Sequence, residues 1–143
     1  MRRTILIVVI GLSAAVAYWL FVGGSDPQSQ EATPESGGSL ADVIVPDTFT
    51  TNAQLGEQVY TAVCAECHGA NAAGIGGVAP PLVHAIYRPS HHGDEAFQVA
   101  ASVGVRAHHW PFGNMPPVEG LTRGDVAMVV TYIRELQEAN GIN

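Results

Sequence analysis

A chain of 143 residues has room for one domain of about 100 to 150 residues plus short appendages. It carries six arginines, no lysine and 13 acidic residues, a net charge of −7. That balance excludes a nucleic-acid binder, which needs a cationic face to neutralise phosphates.

The chain opens on a basic start, Arg2 and Arg3, followed over 4–22 by 19 residues without a charge, Pro, Asn or Gln. This is close to the ~20 residues that a helix needs to span a bilayer. Ala15-Val16-Ala17 has the small-x-small form of a signal-peptidase site. The apolar run nevertheless continues through Tyr18-Trp19-Leu20-Phe21-Val22, whose aromatics suit the far membrane interface. Residues 1–23 are therefore expected to be a single-pass transmembrane anchor rather than a cleaved signal. With Arg2 and Arg3 held in the cytoplasm, the rest of the chain lies on the extracytoplasmic, periplasmic side. No cysteine stands near the end of the run, which excludes a bacterial lipoprotein anchor.

Over 24–50 the composition shifts to Gly, Ser, Pro, Gln and acids. Such a stretch buries too little apolar surface to order itself and is expected to be a flexible linker, with an r.m.s. span of about 25–30 Å. The remaining residues, 51–143, form the exported domain.

A helix is expected over 52–65, with Asn52 as N-cap and Leu55, Val59, Tyr60 and Val63 recurring at helical spacing. It leads into Cys64-Ala65-Glu66-Cys67-His68, the C-x-x-C-H pattern of c-type haem attachment. Two thiols add across the haem vinyl groups, the two-residue gap sets them on one helical turn, and the adjacent imidazole reaches the iron. A thioredoxin-like pair wants a preceding strand, and a zinc site needs a second pair of ligands, for which no further cysteine exists. One covalent haem c on Cys64 and Cys67, with His68 as axial ligand, is the reading these residues support.

Further on, a middle helix is expected over about 94–103, including Phe97, Val99 and Ala100. Met115 then stands in Pro111-Phe112-Gly113-Asn114-Met115-Pro116-Pro117, a loop that Pro and Gly keep out of helix and strand. Most methionines are core filler, as Met128 is expected to be among Val126, Val129 and Val130. Met115 has no helical face to serve, and its soft thioether suits the sixth iron position. Another histidine, or an open position, is the alternative. The closing helix is marked by Thr122-Arg123-Gly124-Asp125, a capping box with Asp in place of Glu, by an apolar stripe of Val126, Val129, Val130, Ile133 and Leu136, and by Gly141 at its end. No alternating strand is found, so the fold class is all-α, with three to four helices around the haem.

Together these motifs resemble the class I cytochromes c over about 90 residues. Gly56 and Tyr60 stand eight and four residues before Cys64, and Val129 and Tyr132 lie on the last helix. By resemblance these positions form the crossing of first and last helices, with the glycine admitting the partner aromatic. Pro80-Pro81-Leu82 resembles the family's Pro-x-Leu, which implies that the Pro80 carbonyl orients His68 through the proton on its far nitrogen. The resemblance also implies a His/Met-ligated one-electron carrier.

Two features depart from that family. Its best-known members ring the haem edge with lysines, whereas 52–143 holds eight acids and four arginines, a net of about −4. Steering toward acidic partners is therefore not expected, and tethering beside membrane redox complexes makes it less necessary. The second departure is His84, His91-His92 and His108-His109. A second metal, copper or zinc, at His91, His92, His108 and His109 is one reading. The favoured one is that they are solvated, or that one or two bind haem propionates together with Arg106 and Trp110, because no i, i+4 pair or carboxylate partner is visible.

The function expected is electron carriage between respiratory or photosynthetic membrane complexes, with no catalytic constellation. The alternatives are a fixed haem subunit of such a complex, or a haem enzyme or gas sensor should Met115 not be a ligand.

Overall fold

The computed structural model describes residues 37–143, which belong to the second of two units in the chain. The anchor expected over 1–23, and the linker up to residue 36, lie outside the described residues. No helix among the described residues is long and apolar enough to cross a membrane.

Helix α1 runs Thr51–Val63. Its N-cap is Thr50 rather than Asn52: the Thr50 hydroxyl accepts from the Ala53 N–H at 3.3 Å, satisfying a donor that the first turn leaves orphaned. The choice of cap has a long-range cause, because the Thr50 N–H and hydroxyl both donate to the Glu135 carboxylate, 85 residues away. Cys64 breaks the rod, and the one-turn helix α2, Ala65–His68, carries the rest of the motif. Helix α3 is Asp94–Val103, with Asp94 and Glu95 in its first turn, where negative charge suits the helix dipole. Helix α4 is Arg123–Ala139, and its N-terminus has the full capping box: Thr122 accepts from the Asp125 N–H, and the Asp125 carboxylate accepts from the Thr122 N–H. Extended pairing among the described residues is limited to isolated bridges, Ser39 with Ile75, Ile75 with Ala79 and Val105 with Met115.

The core lies where α1 crosses α4. Tyr60, Tyr132, Ile133 and Leu136 are fully buried there, each stabilising by roughly 1.5–3 kcal/mol relative to exposure. The two tyrosine rings meet with centroids 5.4 Å apart. Gly56 is buried at this crossing. A Cβ on it would lie 1.9 Å from the Met128 carbonyl oxygen, so what the glycine admits is the backbone of α4 itself.

A polar cluster fastens the other end of α4. Gln137 is fully buried, donating to the Leu82 carbonyl at 2.8 Å and accepting from Arg134 at 2.6 Å. The Arg134 guanidinium also donates to the Tyr87 and His92 carbonyls, both at 2.6 Å, and pairs with Asp94 at 2.9 Å. One side chain thus ties α4 to α3 and to the turn before it.

The described part of the expected linker, 37–50, is not free. The N–H groups of Leu40 and Ala41 donate to the Ala73 carbonyl, and Gly37 and Gly76 join the two stretches further. The Asn140 amide clamps both backbone groups of Ile44, at 2.9 and 2.8 Å. Phe49 packs on Tyr132, with centroids 5.2 Å apart. Composition understated this segment because Val43 and Phe49 supply enough apolar surface to dock on a preformed core.

Candidate haem site

Among the described residues the helices enclose a cavity of about 670 Å³, within the usual range for a bound organic cofactor. Its walls bring together Cys64, Cys67 and His68 from the α1–α2 junction, Pro80 from the loop that follows, and Arg106, Trp110 and Met115 from the segment between α3 and α4. The apolar stripe of α3 turns toward this space. Val99 is 49% exposed there, and Ala96 and Ala100 line the cavity beside it. An apolar face left uncovered in this way suits a large hydrophobic group. Val126, Val129 and Ile133 of α4 close the back.

His68 is buried, and its Nδ1 lies 2.9 Å from the Pro80 carbonyl oxygen. A carbonyl only accepts, so Nδ1 carries the proton and the Nε2 lone pair is left for a metal. The loop is built to hold this pair. The Gly74 N–H donates to the His68 carbonyl at 2.7 Å, and the Tyr60 hydroxyl donates to the Gly69 carbonyl at 2.9 Å. Cys64 is half-buried and Cys67 exposed. Burial, and secondarily the neighbouring Cys67, push the Cys64 thiol up to about 11, so this position tolerates an uncharged sulfur, as in a thioether.

Met115 is half-buried in the cavity wall, its backbone pinned by two 2.9 Å hydrogen bonds with Val105. The Trp110 indole Nε1 is buried, and no acceptor among the described residues meets it with hydrogen-bond geometry, although the indole partly offsets the rise that burial imposes on the Tyr87 hydroxyl. A buried donor without a partner costs about 1–3 kcal/mol. A propionate of a haem in the cavity would satisfy it, with the exposed Arg106 supplying charge nearby. On volume, lining, donor set and this orphaned N–H, the residues present fit a haem.

Burial holds the His68 imidazole below its ordinary 6.5, with the Pro80 carbonyl opposing in part. The unfolded chain therefore takes a proton below about pH 6.5 that the folded chain refuses. Stability from this residue is complete above that pH and declines as pH falls toward the depressed folded value. Melting of the haem-free chain between about pH 7.5 and 5.5 should show a lower midpoint on the acid side, and a midpoint rising into acid would contradict it.

The histidines fall into two groups. His84 stands apart from the other four, its Nδ1 accepting from the Ile86 N–H and its ring edge-on to Trp110. His91, His92 and His109 each present a ring nitrogen within 4.8 Å of the other two. His108 abuts His109 with ring centroids 4.2 Å apart, but its Nδ1 donates to the Arg106 carbonyl and it is not in that set. Spacing along the chain could not show the trio, because its members come from the turn before α3 and the loop after it. Arg134 and Gly74 also escaped notice, since their roles depend on partners far off in sequence.

Among curated proteins, none matches the chain. The family model for cytochrome c matches residues 53–137. The matched stretch is more than half of the chain and contains the cysteine pair, His68, Pro80 and Met115, so the protein belongs to the cytochrome c family, whose members transfer electrons through haem c.

Proposed function

We propose that this protein is a membrane-held one-electron carrier with a single haem, in which His68 and Met115 take the two axial positions. The observation that carries the reading is the convergence of Cys64, Cys67, His68 and Met115 on one cavity, with His68 fixed by Pro80. A single haem follows from the chain's having only two cysteines. When bound, the haem supplies the ferric/ferrous couple. The protein's part is to hold it covalently through Cys64 and Cys67, to present a neutral imidazole on one face and a soft thioether on the other, and to keep water away with the walls of α3 and α4. A neutral sulfur donor favours the reduced ion, so the pair implies a raised potential.

The partners are membrane redox complexes, respiratory or photosynthetic, reached from the extracytoplasmic side. The apolar run over 4–22 supports the anchor, and the absence of lysine supports docking without a cationic ring. Two of the domain's arginines are already committed, Arg123 to Glu95 at 2.8 Å and Arg134 to Asp94 at 2.9 Å.

The ferric protein should show the weak long-wavelength band of thioether-ligated haem, and Met115→Ala should abolish it while the haem stays attached on a denaturing gel. A wild-type spectrum without the band refutes Met115 as ligand and turns the reading toward an enzyme or gas sensor with an open iron site. Mild detergent extraction separates a mobile carrier, recovered alone, from a fixed subunit, recovered with its complex.

A further inference from the structure

Three imidazoles that make no hydrogen bond to one another form a costly cluster unless something else holds them. His91 and His92 lie next to each other in the turn before α3, and His109 arrives from a separate loop 17 residues on. Their ring centroids are 4.8, 5.4 and 5.6 Å apart. Protonated together, they would repel at this range, and no carboxylate belongs to the group.

The backbone beneath the trio is rigid. The N–H groups of His91 and His92 both donate to the Arg88 carbonyl at 2.9 Å, and Arg134 holds the His92 carbonyl at 2.6 Å. On the other side, the Asn114 side chain accepts from the Ala107 N–H at 2.9 Å and steadies the loop that carries His109. The His92 ring is fixed as well, its Nδ1 donating to the Ile86 carbonyl at 2.7 Å. This leaves Nε2 as the lone pair, on a ring that also borders the haem cavity, the same arrangement by which metal-binding histidines are ordinarily oriented. His91 and His109 are exposed and free to turn. Nitrogens within 4.8 Å need only modest rotation to reach the ~3.3 Å separation that metal–nitrogen bonds of about 2.0–2.1 Å impose.

We propose that His91, His92 and His109 bind one divalent transition-metal ion, distinct from the haem iron. An all-imidazole set suits copper and zinc and offers nothing to magnesium or calcium, which demand oxygen; between the first two, Cu²⁺ binds tighter. Three protein ligands leave a position open to water. Asp94 and Glu95, in the first turn of α3, offset the positive helix end beside the site.

The test uses full-length, haem-loaded protein purified without a polyhistidine tag, stripped with chelator and titrated separately with Cu²⁺, Zn²⁺ and Mg²⁺. Metal bound is counted against iron. The expected result is one Cu²⁺ per iron, displacing Zn²⁺ in competition, and no Mg²⁺. His91→Gln and His109→Gln should each weaken Cu²⁺ binding by more than about 10-fold, and His84→Gln should leave it unchanged. Both substituted positions are exposed, and an unchanged haem spectrum in the variants confirms an intact fold. The proposal is overturned by equal Cu²⁺ binding in the H91Q/H109Q double variant, by no metal beyond iron, or by a haem spectrum altered in that variant, which would assign these histidines to the haem instead.

Discussion

Replacing Gly56 by alanine should destabilise the protein by about 3 kcal/mol or more, a large share of the 5–15 kcal/mol that holds a domain of this size folded. The added Cβ would sit 1.9 Å from the Met128 carbonyl oxygen, 2.4 Å from its carbon and 2.9 Å from the Val129 nitrogen. All three are backbone atoms inside α4, and no side chain can swing aside to make room. The helices must separate by about 1 Å or more, loosening dispersion contacts throughout the buried face that Tyr60, Tyr132, Ile133 and Leu136 share. A denaturant series should show the midpoint falling at an unchanged slope. A midpoint within error of wild type would mean that this crossing is far more compliant than the geometry allows.

Gly74→Ala should cost about 2–4 kcal/mol and, in addition, move the reduction potential upward. Gly74 has φ +74°, where an L-side chain is strained by about 1–2 kcal/mol. Its Cβ would also lie 2.4 Å from the Pro81 nitrogen and 2.9 Å from the Pro80 carbonyl carbon. The peptide it displaces is the one whose oxygen accepts from His68. A lengthened bond there makes the imidazole a weaker electron donor, which disfavours the ferric state of a haem bound to His68 and raises the potential. Gly56→Ala, far from that carbonyl in the chain of contacts, should lower stability and leave the potential alone. Voltammetry of the two variants side by side therefore separates orientation of His68 from loss of stability, and equal potentials in both would refute the role given to Pro80.

Local chemistry was the legible part of this protein. Thr122 and Asp125 announce the start of α4, and the bounds of α3 follow from its apolar residues and flanking glycines, because such signals act within a turn or two. The C-x-x-C-H motif is legible for the same reason. The cap of α1 lies two residues before the Asn52 that the sequence suggests, because Glu135, on the far helix, favours Thr50. The sequence suggests a close approach at Gly56, but which atoms approach is decided by the register of two helices some 70 residues apart. The histidine trio illustrates the limit most clearly. Neither His91-His92 nor His108-His109 has metal-site spacing, and only the fold brings one member of the second pair to the first.

The docking of 37–50 has a mechanical meaning. Tension applied to the chain ahead of Gly37 first loads the short run of backbone bonds that Gly37, Leu40 and Ala41 make with Ala73 and Gly76. Next in line is the two-point grip of Asn140 on Ile44, which passes the load to the end of α4 before it reaches Thr50 and α1. Cys64 and Cys67 lie beyond that grip along the chain, whereas Ala73 and Gly76 flank the Gly74 that holds the His68 carbonyl, so such a pull reaches the loop beside His68 before it reaches the two cysteines.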